Sequence, residues 1–198
     1  MKIVPLSSAH VDAVARLHQE TLTGLLTALG PRAIRAYYTG AVEAPSVRAY
    51  VAMDGETLAG FVLGSAHPAD LRREIERANR LGILPGLALG VAARPAALRW
   101  ILANRRTPGD GGDHGHDPAA PELVYLAVSS ASRGGGTGRL LVVAFTEAMK
   151  TEGVRAYELS VDDTNAGAIA FYERLGFRET GRYREFGAAH RRYRLELA

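Results

Sequence analysis

The clearest chemical signal in the chain is six consecutive residues, Arg133-Gly134-Gly135-Gly136-Thr137-Gly138. They follow an apolar run, Leu123-Val124-Tyr125-Leu126-Ala127-Val128, and precede a segment with helical spacing from Leu140 to Met149. Glycines let a backbone approach a ligand closely and adopt positive φ. The first turn of a helix adds unpaired N–H groups and the positive end of the helix dipole. A strand, a glycine turn and a helix start in that order can seat a phosphate or pyrophosphate. A plain glycine turn with no ligand fits the six residues as well.

Two nucleotide motifs are excluded. A P-loop requires Gly-Lys-Ser/Thr at its end, but Gly138 is followed by Arg139 and Leu140. A dinucleotide fingerprint requires G-x-G-x-x-G; counted from Gly134 its last position is Arg139, and counted from Gly136 it is Leu141. The chain has no cysteine, so disulfides, thiolate metal sites and a cysteinyl acyl intermediate are excluded too. Asp110, Asp113, His114, His116 and Asp117 bear metal-ligand chemistry, but the glycines among them imply an exposed loop without fixed geometry, and no metal is expected.

These residues need elements to position them. The 198 residues suffice for one domain with a sizeable core, and 47% hydrophobic with 23% charged residues is ordinary for a folded protein. A net charge of +3 gives no argument for nucleic acid. Only Lys2 and Lys150 are lysines, the rest of the basic residues being arginine, which fits the coding bias of a GC-rich, bacterial genome. The N-terminus lacks the apolar stretch of a signal peptide, and the longest apolar run, from Ile83 to Ala93, is too short to span a bilayer. A cytoplasmic protein is expected.

Lys2 to Leu6 reads as a strand. A helix carrying Val11, Val14 and Leu17 follows, capped by Ser7 or Ser8. Gly30-Pro31 opens a second helix with Ile34, Tyr37 and Tyr38. Val47 to Met53 and Thr57 to Ser65 form a hairpin about Asp54-Gly55. Pro68 to Arg80 reads as an amphipathic helix with Leu71, Ile75 and Ala78 on one side, Pro95 to Asn104 as another helix, and Arg105 to Pro121 as a loop. Residues 66–120 therefore read as an insertion between two strands of one sheet. Beyond the glycines, Leu140/Ala144/Ala148 and Leu141/Phe145/Met149 predict a helix buried along two adjacent rows. Ala156 to Val161 is a strand, and Ala166 to Leu175 a helix capped by Asn165. Two final strands run from Arg178 to Phe186 and from His190 to Leu197. The total is about seven strands and about four core helices in a mixed sheet, an α/β (α+β) arrangement. On the last two strands the arginines 182, 184, 191, 192 and 194 read as a solvated face.

Val128, five residues, then Arg133-Gly134-x-Gly136-x-Gly138 resembles the acetyl-CoA signature of the GCN5-related N-acetyltransferases (GNAT). A second block agrees: Leu159-Ser160-Val161, Asn165, Ala168, Phe171-Tyr172 and Leu175-Gly176-Phe177. The resemblance implies a mostly antiparallel sheet with helices on both faces and two central strands that splay apart at a bulge. It implies transfer of acetyl from acetyl-CoA to a primary amine by direct attack in a ternary complex. The cofactor-binding residues it implies are Leu126, Ala127 and Val128, pairing with pantetheine amides; Arg133, Gly134, Gly135, Gly136, Thr137, Gly138 and Arg139 at the pyrophosphate; and Asn165 and Tyr172. Tyr172 would also serve as general acid to the departing thiolate, and Glu122 as base, with Glu158 as the other option. A packed tyrosine, a simple N-cap and surface charges are the bland alternatives for Tyr172, Asn165 and the two glutamates. The acceptor would be lined in part by Leu22 to Leu29. The insertion would form a lid or an oligomer contact; its apolar stretch from Ile83 to Val91 packs as core under the lid, with a homodimer contact or an apolar acceptor as the alternatives. The reading from another class is a non-catalytic acyl-CoA sensor or assembly module.

Overall fold

A seven-stranded sheet in the order β1-β2-β3-β4-β5-β7-β6 organises the molecule. The computed structural model describes residues 1–78, 119–185 and 188–197. The strands are β1 (Lys2–Pro5), β2 (Val47–Asp54), β3 (Thr57–Ser65), β4 (Glu122–Val128), β5 (Ala156–Asp162), β6 (Arg178–Glu185) and β7 (Ala188–Glu196). The helices are α1 (Val11–Thr21), α2 (Leu25–Leu29), α3 (Pro31–Glu43), α4 (Pro68–Ala78), α5 (Thr137–Thr151) and α6 (Ala166–Arg174). The expected helix from Pro95, the apolar stretch from Ile83 and the acidic, histidine-bearing loop lie outside the described residues.

Local signals act where the sequence places them. Pro31 opens α3, where a missing N–H costs nothing. Gly55, at φ +60°, turns the β2–β3 hairpin, whose last pair is Asp54↔Thr57. Asn165 Oδ1 accepts the Ala168 N–H at 3.0 Å and caps α6.

Helices cover both faces. On one, α1, α3 and α4 bury Val14, Ile34, Tyr38, Leu71 and Ile75 against Val51, Phe61 and Ala127. On the other, α5 and α6 bury Leu141, Phe145, Met149 and Tyr172 against Val62, Leu123, Tyr157 and Tyr193. α4 is thus part of the core: the opening of the expected insertion packs through Leu71 and Ile75, and its Glu74 accepts the Ser46 N–H at 2.8 Å. On α5 only one of the two expected rows is buried. Leu140 is 46% exposed, whereas Leu141, Phe145 and Met149 are fully enclosed and Val142 joins them. A helix lying on one sheet face buries a single stripe, and here the stripe falls on the Val142 side of the Leu141 row.

Two glycines of β3 set its approach to β4. A Cβ on Gly60 would stand 2.7 Å from the Ala127 carbonyl oxygen, and one on Gly64 would stand 2.2 Å from that of Glu122. Only a residue without a side chain permits either contact. Opposite Gly64, the register of β4 shifts between Leu63↔Tyr125 and Gly64↔Leu123, leaving Val124 as an extra residue. The bulge resets the alternation of β4. Val124 and Tyr125 both face the α1–α3 side, while Leu123, Leu126 and Val128 face the α5 side.

Candidate active site

The two central strands part almost at once. β4 and β5 run parallel, yet among the described residues their ladder is the one pair Glu122↔Glu158, beside a Glu158 N–H bond to the Pro121 carbonyl at 2.8 Å. Past it the strands diverge. The Ser129 N–H donates to the Ala59 carbonyl at 2.9 Å, and the register with β3 continues through Val128, Ala127 and Leu126. In an antiparallel ladder, peptide groups point alternately toward and away from the partner strand. Ala127 therefore bonds β3, and Leu126 and Val128 turn their N–H and C=O groups into the gap.

Below the gap the chain makes a short 3-10 turn, Ser130–Ser132, and enters the glycines. Gly134 (φ +78°) and Gly136 (φ +80°) are left-handed, and Gly136 is the N-cap of α5, so the helix starts at Thr137. Thr137 is buried, its hydroxyl bonding back to the Ser132 carbonyl at 3.3 Å, so this residue offers its backbone to the site. At Gly138 three walls meet: an added Cβ would lie 3.2 Å from the Phe171 ring and 3.6 Å from Val128.

These walls enclose a cleft of about 870 Å³. Leu126, Ala127, Val128, Arg133, Gly134, Gly136, Thr137, Gly138, Arg139, Asn165 and Tyr172 all line it. Two candidates from the sequence do not: Gly135, which is exposed, and Glu122. Glu122 stands at the closed end of the gap; on the α3 side burial, then Tyr125 and lastly the Glu122 charge raise the pKa of the Tyr37 phenol. Glu158, also considered as a base, is buried beside Arg192 (3.5 Å) and Arg194 (3.4 Å).

Among the described residues the lining carries three guanidinium groups, Arg133, Arg139 and Arg174, and no carboxylate. Arg133 Nε donates to the Val128 carbonyl at 3.4 Å, while Arg139 and Arg174 have no hydrogen-bond or ion-pair partner among the described residues. The Tyr172 phenol likewise has no hydrogen-bond partner among them. Its ring is held edge-on by Phe171 (5.1 Å) and Phe177 (5.4 Å). Burial pushes its pKa well above the ordinary phenol range, with Tyr157 adding to the shift, so the proton stays on the oxygen at neutral pH.

Sequence reasoning did not single out Arg174, Thr21 or the ring of Phe171 as cleft residues. For Arg174 a signal existed in its i+3 spacing from Phe171, which puts both on neighbouring positions of one helix face. The arginines of the last two strands also depart in part from expectation. Arg182 bonds Glu179 at 2.7 Å, Arg191 pairs with Asp163 and Glu179, and Arg192 is only 7% exposed, stacked 4.9 Å from the centre of the Tyr183 ring. Arg182 and Arg184 are exposed, as a solvated face requires, while acids on neighbouring loops and strands, invisible as partners in the sequence, draw Arg191, Arg192 and Arg194 into ion pairs.

On the α1–α3 side, behind Tyr125, His18 Nδ1 and the Tyr38 hydroxyl share a 2.8 Å hydrogen bond. Tyr125 lies edge-on to His18 at 4.9 Å and to Tyr37 at 5.8 Å. Thr21 and Leu22, at the end of α1, bring this side to the mouth of the cleft. Among the described residues no three His, Asp or Glu side chains group to hold a metal ion, and no helix is long and apolar enough to cross a membrane.

Comparison with known proteins agrees with this geometry. Mycothiol acetyltransferase of Streptosporangium roseum is 44% identical over 69 residues, covering 35% of this chain and 20% of the relative. The protein of that name from Pseudarthrobacter chlorophenolicus is 31% identical over 116 residues, covering 58% and 33%. The chain thus matches no more than a third of the length of either relative. Among solved structures, one described as an acetyltransferase superposes with a TM-score of 0.64 at 20% identity, covering both chains fully. The ribosomal-protein-S18-alanine N-acetyltransferase of Escherichia coli gives 0.60 at 15% identity, covering 100% of this chain and 94% of that one. Both likenesses are of fold. The sequence model of the Acetyltransferase (GNAT) family matches residues 11–177, a span that runs from α1 through the gap, the glycine turn and α6; the chain belongs to that family.

Proposed function

We propose that the protein is an acyl-CoA-dependent N-acetyltransferase that passes acetyl from acetyl-CoA to a primary amine, both substrates being bound together. The observation that carries this reading is the cleft, where an outward-turned strand edge, a glycine turn at a helix start and a phenol with no hydrogen-bond partner among the described residues face one space. The donor fits these groups. Positive φ at Gly134 and Gly136 leaves open room over the turn, since an added Cβ there would meet nothing within 4 Å. The N–H groups of the turn, with Arg133 and Arg139, suit a pyrophosphate. The peptide groups of Leu126 and Val128 suit the amides of an extended arm.

In the reaction the amine nitrogen attacks the thioester carbonyl, a C–N bond forms, and the C–S bond breaks. An outward N–H of β4 stabilises the oxyanion, a contribution of about 3 kcal/mol for one such donor. Tyr172 gives its proton to the leaving thiolate, a role that suits a phenol kept neutral by burial. We assign removal of the amine proton to Glu122. It lies outside the cleft lining, so the transfer runs through water. The absence of cysteine accords with direct attack.

We further propose one N-acetyltransferase domain over residues 1–198 with the insertion at 66–120, a cytoplasmic location and a small-molecule acceptor. The names of the curated relatives put mycothiol-type amines first in an acceptor panel. The test is release of free CoA thiol from acetyl-CoA across that panel. Tyr172→Phe at saturating donor should lower turnover by about a hundredfold; unchanged turnover would remove Tyr172 from the chemistry. Tight CoA binding with no release for any amine would replace the enzyme by the sensor or assembly module.

A further inference from the structure

The helix that carries Tyr172 is held at its ends more than by its packing. Of the nine residues of α6 only Tyr172 is buried, while Ala168, Ile169 and Phe171 lie partly buried against the core. A short helix with so narrow a buried stripe can slide or tilt on a sheet unless other contacts fix it. The Tyr172 phenol has no hydrogen-bond partner among the described residues, so no polar contact of its own aims it.

The ties come from β7. Alternate residues of a strand face the same side, and the odd-numbered residues of β7 meet the α6 segment in turn. At the entrance the Asp163 N–H donates to the Ala189 carbonyl at 2.9 Å, and the Asp163 carboxylate accepts a charged hydrogen bond from Arg191 Nε. In the last turn Glu173 accepts the Tyr193 hydroxyl at 3.1 Å. Beyond it, a Cβ added to Gly176 would lie 3.8 Å from Leu195. Arg191 makes a second bond, from another guanidinium nitrogen to Glu179 of β6 at 3.3 Å. Asp163 precedes α6 and Glu179 follows it, so one guanidinium joins the chain on the two sides of the helix. All three side chains are partly buried, and the rigid fork of an arginine suits two carboxylates at once.

We propose that Arg191 is a positioning residue for the reaction: by clasping Asp163 and Glu179 it fixes α6 along β7 and so aims the Tyr172 phenol at the leaving sulfur. Arg191 does not line the cleft and touches no substrate. The inference rests on the reading of Tyr172 as general acid. A proton donor works only within hydrogen-bond reach, and a misplacement of about 1 Å can cost about a hundredfold in rate. The ties at Ala189 and Tyr193 remain when Arg191 is lost and limit the shift, so a loss of about tenfold is expected.

The experiment is release of free CoA thiol by the full chain, using the amine that gives the fastest release, with Arg191→Met made alone and in the Tyr172→Phe background. Alone, it should lower kcat about tenfold with the KM for acetyl-CoA within about twofold, because the glycine turn and β4 still hold the donor. In the Tyr172→Phe background it should lower kcat no further, since no phenol is left to misplace. Asp163→Asn cuts the same tie from the other end; it should reproduce the loss and add nothing to Arg191→Met. Arg182→Gln removes the other arginine on Glu179 and should leave kcat unchanged. Wild-type kcat in Arg191→Met and in Asp163→Asn, or the same fold-loss in both backgrounds, overturns the inference and leaves Tyr172 as the acid. A KM that rises as much as kcat falls overturns it too, in favour of a role in donor binding. Unchanged turnover in Tyr172→Phe alone, or no release with any amine, overturns the reading on which the inference rests and the inference with it.

Discussion

Acidification should unfold this protein partly through one buried histidine. His18 is 1% exposed, with its Nδ1 bonded to the Tyr38 hydroxyl and its ring against Tyr125. Among the described residues no carboxylate pairs with it in compensation, and burial lowers its pKa from 6.5 to about 4. The native state therefore holds His18 neutral where the unfolded chain would protonate it. The stability due to this group is fully present above pH 6.5. It is lost as the pH falls from there toward 4, because across that window the unfolded state binds more protons. A difference of about 2.5 units at about 1.4 kcal/mol each gives a loss of about 3 kcal/mol, a large share of the 5–15 kcal/mol typical of a folded domain. The assay is urea unfolding at intervals from pH 7.5 to 4 for the wild type and His18→Gln, which keeps a polar partner for Tyr38 but does not titrate. The variant should start less stable and fall less steeply, the two curves converging by about 3 kcal/mol at acid pH. Parallel curves over the whole range would refute the reasoning, since the other histidines are common to both proteins.

Two further outcomes concern backbone and cap. Gly64→Ala puts a methyl group 2.2 Å from the Glu122 carbonyl oxygen and 2.5 Å from the enclosed Phe145 ring; it should cost about 2–3 kcal/mol, whereas Gly181→Ala, with nothing within 4 Å, should change stability by less than about 1 kcal/mol. Thermal melts compare the pair, and equal melting temperatures would show that β4 yields freely. Asn165→Ala removes the bond to the Ala168 N–H and should cost about 1 kcal/mol while also weakening coenzyme A; a lower melting point with unchanged affinity would limit Asn165 to its cap.

Much of this architecture could be read from local patterns. The Asp54-Gly55 turn, Pro31 at a helix start and Asn165 at a cap act through their immediate neighbours, so the sequence states them directly. The glycine turn and the α6 residues that meet it were legible as two motifs, and the fold supplies their convergence. Features set by tertiary partners were not legible. The run from Leu123 to Val128 is apolar throughout, so nothing in it marks Val124 as the bulged residue; the close contacts at Gly60 and Gly64 on the next strand fix that register. Leu140 and Val142 are equally apolar, and only the lie of α5 on the sheet selects between them. Arg192 looks like any surface arginine until Glu158 and Tyr183 enclose it.

The nearly unpaired seam between β4 and β5 means that backbone hydrogen bonds do not fix how far apart the two halves of the sheet stand. That distance falls to side chains. Leu141, Phe145 and Met149 of α5 pack at once on Ala52, Ala59 and Val62 from one half and on Tyr157 and Leu159 from the other. Phe145 meets the Tyr157 ring at 5.2 Å, and the Thr146 hydroxyl bonds the Tyr157 hydroxyl at 2.8 Å. These residues act as a spacer gauge. Trimming or enlarging them alters the aperture above, so substitutions deep in the apolar interior can retune the grip on the donor without touching any group that faces it.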